Sequence, residues 1–244
     1  YIMSYLTQIL EYILNSPLES FGNLFANTKE NAKKKKFIFN EYQSLSMFIS
    51  VFFSSMFYIS ILSFVKIWLG DKYLIGNIAV LLFASILFVK CIYSPISSMI
   101  SVSGKFNETK KSTIIATLIN IVLSAILVKK YNISGVLFAT LFSELFIMMP
   151  SYVKCIYKEV LDASKSNYYK KFVYSVLITI GIVLFDKLLI SILPLYSDFN
   201  YLNWFVSSII LGIVDAGIVF LILFFTMKSF KALMLRFKRM VIKK

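Results

Sequence analysis

Residues 203–227 read NWFVSSIILGIVDAGIVFLILFFTM, twenty-five positions with one ionisable side chain, Asp215. As an α-helix this run is about 38 Å long at 1.5 Å per residue, enough to cross a hydrocarbon core of about 30 Å with some tilt. Runs of the same kind recur near 1–26, 44–69, 74–99, 112–129, 133–156 and 171–194. Across the 244 residues 59% are hydrophobic and only 16% charged, below the roughly 25% charged of a soluble domain. A spanning β-barrel would alternate polar and apolar positions in segments of about ten residues, a pattern these uninterrupted runs lack. The expectation is an all-α integral membrane protein of about seven transmembrane helices. The chain opens at Tyr1 inside an apolar segment with no charged region before it, which reads as the downstream portion of a longer protein and not as a signal peptide.

The basic residues are distributed by loop. Five lysines fall in 27–43, three in 100–111, five in 154–171, and seven Lys or Arg in the tail from Lys228, together twenty of the 26. The intervening loops hold only Lys72, Lys129 and Lys130, and Lys66, Lys90 and Lys187 lie within spans. Rich and poor loops alternate throughout, which places the rich loops and Lys244 in the cytoplasm by the positive-inside rule. The net charge of +14 is therefore a topology signal and a contact for anionic headgroups, not a nucleic-acid surface, which needs its bases on a folded aqueous face. The tail reads either as an amphipathic segment on the inner leaflet, with Phe230, Leu233, Leu235, Phe237, Met240 and Val241 among its bases, or as a solvated end.

The sequence has no histidine, which removes the commonest general base and metal ligand. Cys91 and Cys155 sit in separate spans without metal-ligand spacing and read as packed thiols. Neither a metal nor a cofactor is expected.

Ionisable residues inside a membrane cost roughly 2.5–3.5 kcal/mol each by insertion scales, so each calls for a partner or a wet cavity. In the first run Gln8, Glu11, Asn15 and Glu19 share one helical face, and Pro17 kinks or ends the regular helix. That stripe reads as a cavity wall or as interhelical hydrogen bonds, and its two carboxylates favour the cavity. Lys90 in the third span and Glu144 in the fifth are deep. Asp186, Lys187 and Asp215 form a second set on the last two spans, where an ion pair between Lys187 and Asp215 is expected. Ser46, Ser50 and Ser54 have the small-xxx-small spacing of close helix packing.

Residues Lys110 to Leu145, KKSTIIATLINIVLSAILVKKYNISGVLFATLFSEL, carry a further pattern: a basic loop, an apolar helix with Asn120, a turn at Lys129, Lys130 and Tyr131, then Gly135, Val136 and Thr140. This resembles the polysaccharide flippases of the multidrug/oligosaccharidyl-lipid/polysaccharide exporter superfamily, with Asn132 where that family usually has Gly; both tolerate a left-handed turn. SPISSMISVSGKFNETKKS and the opening helix through SPLESFGNLFANTKENAKKKK are also similar, so the resemblance covers about residues 1–165. It implies the C-terminal lobe of a two-lobe transporter of 12–14 helices. Residues 1–165 would supply five helices of the lobe, 166–227 two further helices and 228–244 a basic cytoplasmic tail.

The implied activity is not enzymatic. It is export of undecaprenyl-pyrophosphate-linked oligosaccharide units across a bacterial inner membrane by alternating access, for O-antigen, capsule or exopolysaccharide. The implied partners are that lipid-linked substrate, membrane lipids, an amino-terminal lobe of the same protein and the polysaccharide polymerase machinery. On this reading Lys90 holds the pyrophosphate, Gln8, Glu11 and Asn15 line the sugar path, and Glu144 and Asp215 serve coupling or charge balance. A multidrug exporter of the same superfamily is the main rival. A membrane-embedded glycan polymerase or ligase is disfavoured by short outer loops without His or Arg, and a scaffolding role is the remaining alternative.

Overall fold

The structure, a computed structural model, describes Tyr5, Gln8 and residues 32–193, 195–196 and 200–242. The span expected near 1–26, with Glu11, Asn15, Pro17 and Glu19, otherwise lies outside the described residues; Tyr5 and Gln8 are helical and exposed. The chain continues through α1 (Ala32–Leu69), a 3-10 turn (Asp71–Tyr73), α2 (Asn77–Ser103) and α3 (Phe106–Ser143). A π-helical turn (Glu144–Met148) joins α3 to α4 (Met149–Glu159), and α5 (Ser166–Ile192), α6 (Tyr201–Thr226) and α7 (Lys228–Ile242) follow. Among the described residues there is no strand. Five helices are long and apolar enough to cross a membrane: Lys34–Leu69, Asn77–Ser103, Phe106–Glu159, Ser166–Ile192 and Tyr201–Thr226.

The third of these, at 54 residues, would reach about 80 Å if straight, far more than one crossing uses. It is folded in two. Asn132 has φ 50° and ψ −134°, outside the helical region, and the two arms run back along each other. Ser151 Oγ lies 2.7 Å from Ser112 Oγ, and the Thr113 and Tyr152 hydroxyls are 3.0 Å apart, pairs spaced evenly about Asn132. The turn is tight because residue 135 is glycine: a Cβ there would meet the Leu127 carbonyl carbon and oxygen at 2.6 Å. The runs near 112–129 and 133–156 are thus the arms of one helical hairpin. Its second arm widens at Glu144–Met148, just before Pro150, which has no N–H to give Phe146 and whose ring crowds that carbonyl.

Helix α1 packs against α2, α5, α6 and α7. Its contact with α2 buries Phe39, Tyr42, Val65, Val80, Leu87 and Ile96, and where it meets α5 and α6 it buries Met47, Val51, Ile178, Val219 and Leu223. Ser46, Ser50 and Ser54 are all buried on α1, as their spacing led us to expect. Ser46 has a specific task. Pro95 inside α2 leaves the Cys91 carbonyl without its helical donor, and the Ser46 hydroxyl donates to that carbonyl.

The outward surface is apolar in stripes. Val173, Leu177, Ile180, Leu184 and Leu188 are all exposed along one face of α5, as are Phe205, Ile209 and Ile213 on α6. Water would not tolerate contiguous surfaces of this kind, whereas lipid solvates them. Helices, span lengths and lipid-type surfaces together define an all-α, multi-pass membrane protein.

The lysine-rich segments gather at one end of the bundle. Lys171 Nζ donates to Asn40 Oδ1 and Gln43 Oε1, each at 2.8 Å, tying the start of α5 to the start of α1. Lys105 bridges Glu159 at 2.9 Å and Glu108 at 3.1 Å, and hydrogen bonds to Glu159 and then Glu108 hold its ammonium above the ordinary lysine pKa. The tail is a helix that docks, neither frayed nor simply floating. Phe230 and Leu233 of α7 are buried, Leu235 and Phe237 are exposed, and Arg236 Nη2 lies 2.8 Å from Oε2 of the fully buried Glu41. At the opposite end Lys66 pairs with Asp71 at 3.3 Å and Trp204 Nε1 donates to the Ser60 carbonyl.

Candidate functional site: a buried acid pair

Helices α5 and α6 run antiparallel on α1, and each contributes a buried face on which one aspartate stands among apolar residues and a serine. On α6 that face is Ser207, Leu211, Asp215, Val219 and Leu223, every fourth residue; on α5 it includes Ser175, Ile178, Ile182 and Asp186. Asp186 and Asp215 are both 0% exposed, and their carboxyl groups face each other within hydrogen-bonding range. Among the described residues no other donor reaches any of their four oxygens, and no Lys or Arg pairs with either. A carboxyl–carboxylate contact is a hydrogen bond only when one partner carries a proton. Two bare anions about 4 Å apart would repel by about 4 kcal/mol at an effective dielectric of 20, before any cost of burial. The site therefore calls for a proton or a small cation.

The expected ion pair between Lys187 and Asp215 is not formed. Successive helical residues point about 100° apart, so with Asp186 directed inward Lys187 is carried round to α1. There its Nζ lies 3.4 Å from Tyr58 Oη and 5.2 Å above the Tyr58 ring centre. For the same reason Asp186 and Lys187 do not neutralise each other as neighbours. Asp186 lies six residues before the end of α5 and Asp215 fourteen after the start of α6, so with the two facing each other α6 extends about two turns further at the lysine-poor end. Tyr196, between the two helices, lies beside Ser207 and Ser208.

Tyr196 is near the acid pair. Its N–H donates to Ser207 Oγ at 3.3 Å, and its hydroxyl is 3.0 Å from Ser208 Oγ. Its φ of 57° is an uncommon backbone state for a bulky residue, held here by those two bonds. Burial pushes the Tyr196 phenol above its ordinary pKa; the bond to Ser208 opposes this, and the nearby Asp186 and Asp215 add to the rise.

The other expected site residues that are described stand on other helices. Lys90 is half-buried in α2, and Glu144 is half-buried where the π-helical turn begins. Gln8 is exposed, while Glu11 and Asn15 lie outside the described residues. Asp215 is joined to Asp186. Tyr196, Glu41 and Arg236 escaped the sequence reading, since each depends on a fold-back that periodicity does not carry. Among the described residues no group of three His, Cys, Asp or Glu is placed to hold a metal ion, and Cys91 and Cys155 are buried and form no disulfide.

The fold and site define a multi-pass helical membrane protein with a buried carboxylate pair. No protein-family model, no curated protein and no solved structure matches the chain.

Proposed function

We propose that this chain is part of a transporter that exports lipid-linked oligosaccharide units across a bacterial inner membrane by alternating access. The Asp186–Asp215 pair carries the reading. Two base-free carboxylates on facing spans burden a bundle that only has to pack, and they suit a protein that takes up and releases a cation. The resemblance of Lys110–Leu145 to polysaccharide flippases supplies the cargo. In this reading the described helices belong to a C-terminal lobe, Lys90 meets the pyrophosphate, and Glu144 balances charge. An inside-negative potential already favours outward movement of an anion by ~2.3 kcal/mol per charge per 100 mV, and a cation moving inward through the acid pair adds to that drive.

A multidrug exporter has one observation in its favour. An apolar cleft of about 450 Å³ between α1, α2, the hairpin and α5, lined by Phe88, Leu141, Leu145 and Val183 among others, has room for an apolar drug. Lys90→Ala and Asp215→Asn separate the two in cells that depend on the protein. Loss of surface polysaccharide, with lipid-linked units accumulating in the inner leaflet, is expected for both variants. Intact polysaccharide with altered drug sensitivity would move the assignment to the exporter.

A further inference from the structure

At the lysine-rich end, the start of α1 and the start of α5 diverge, and the loop after α4 closes the third side. The notch between them has a volume of about 320 Å³. Lys36 and Lys170 stand on its two walls, with Ser164 and Asn167 between them, and among the described residues no carboxylate lines it. Neither lysine forms an ion pair with a described acid, unlike Lys105. The wall is held rigid: Asn40 spends its oxygen on Lys171 and its amide on the Lys36 carbonyl at 2.9 Å. Ser164 Oγ accepts the Ser166 N–H at 3.3 Å, which leaves its own proton free to donate.

The notch thus presents positive charge with hydroxyl and amide donors. The first turn of α5, a 27-residue helix, adds the positive end of its dipole. On the other face of the same loop, Lys154, Lys158 and Lys165 surround a single acid, Asp162, and extend the positive field. A small anion rich in acceptor oxygens answers this arrangement, which is the chemistry of a phosphate. Depth selects its source. Lys36 ends the run Lys33–Lys36 just before the apolar part of α1, and Phe39, Tyr157 and Leu161 form an apolar side to the notch, so it opens in the headgroup layer. Lipid phosphates there greatly outnumber soluble ones.

We propose that the notch holds the phosphodiester of an anionic phospholipid from the leaflet on the lysine-rich side, clamped between Lys36 and Lys170. Lysines scattered by the positive-inside rule attract such lipids interchangeably; a walled notch holds one in preference to its neighbours. The inference is independent of what cargo the protein carries.

The whole protein, in nanodiscs of phosphatidylcholine with a minor share of phosphatidylglycerol, is analysed for retained lipid by native mass spectrometry. Phosphatidylglycerol is expected well above its bulk share. The double variant Lys36→Gln/Lys170→Gln should lose at least about fivefold of that enrichment per lysine, and Lys36→Arg/Lys170→Arg should keep it. Lys72→Gln/Lys130→Gln removes the same charge at the other end and should change nothing. Equal loss in that control, or equal retention of phosphatidylcholine, would overturn the proposal. So would displacement by millimolar inorganic phosphate, which points to a soluble anion, or preference for added undecaprenyl phosphate, which assigns the notch to an isoprenoid carrier.

Discussion

Replacing one aspartate of the Asp186–Asp215 pair by asparagine preserves shape and gives the remaining carboxylate an amide donor. Either single variant, Asp186→Asn or Asp215→Asn, is expected to match or exceed the parent in thermal stability, within about 1 kcal/mol, while losing the cation coupling proposed for the pair. A base hidden beside the pair would reverse the stability result, because a stranded cation costs about 3 kcal/mol or more; scanning fluorimetry of the two tryptophans reads the difference. Glu41 offers the contrasting case. Its carboxylate is buried against Arg236, so Arg236→Ala should destabilise by about 2 kcal/mol, the guanidinium being partly exposed, and Arg236→Ala/Glu41→Gln should recover most of that loss. Composition identified Asp215 as costly but could not name its partner. Lys187 was the chemically obvious choice, and the 100° step between adjacent helical residues selected Asp186 instead.

Two contacts hold the elements together where the backbone is weakest. Ser46→Ala should cost about 1–2 kcal/mol by removing the hydroxyl donor to the Cys91 carbonyl, yet cost little in a Pro95→Ala background, where residue 95 regains an N–H for that carbonyl. A double-mutant cycle by chemical denaturation in detergent measures that coupling, and additive costs would remove Ser46 from the role. Gly135→Ala sets a Cβ against the Leu127 backbone, which cannot swing aside as a side-chain end can, so a loss of about 1–3 kcal/mol with splaying of the hairpin arms is expected. The same experiments mark what the sequence could disclose. A turn at Lys129–Asn132 was readable because two apolar runs meet there at a residue that tolerates positive φ. The π-helical turn was not, since both sides of Glu144–Met148 are equally apolar and only the register of the hydrogen bonds changes. Helix ends were also missed: α1 and α3 continue into basic segments because hydropathy measures bilayer thickness, not the extent of a helix.

Threading of the whole molecule turns on whether Phe106–Glu159 makes one crossing or two. A single crossing would put Lys105 and Lys165 on opposite sides of the membrane; a hairpin puts them on the same side, as the ion pair from Lys105 to Glu159 requires. Apolar content is the same in both cases, so composition cannot decide, whereas the break at Asn132 and the paired hydroxyls of the arms do. In a Cys91→Ala/Cys155→Ala background, single cysteines at positions 34, 105 and 165 should resist a membrane-impermeant maleimide in intact cells and react after permeabilisation. Cysteines at 72 and 130 should react from outside in the same cells. Opposite behaviour at 105 and 165 would unfold the hairpin into one span, and labelling at 34 from outside would invert the bundle. Inversion would place the lysine-rich notch and the docked tail helix in the outer leaflet, where the positive-inside rule gives no reason for twenty of 26 basic residues to gather.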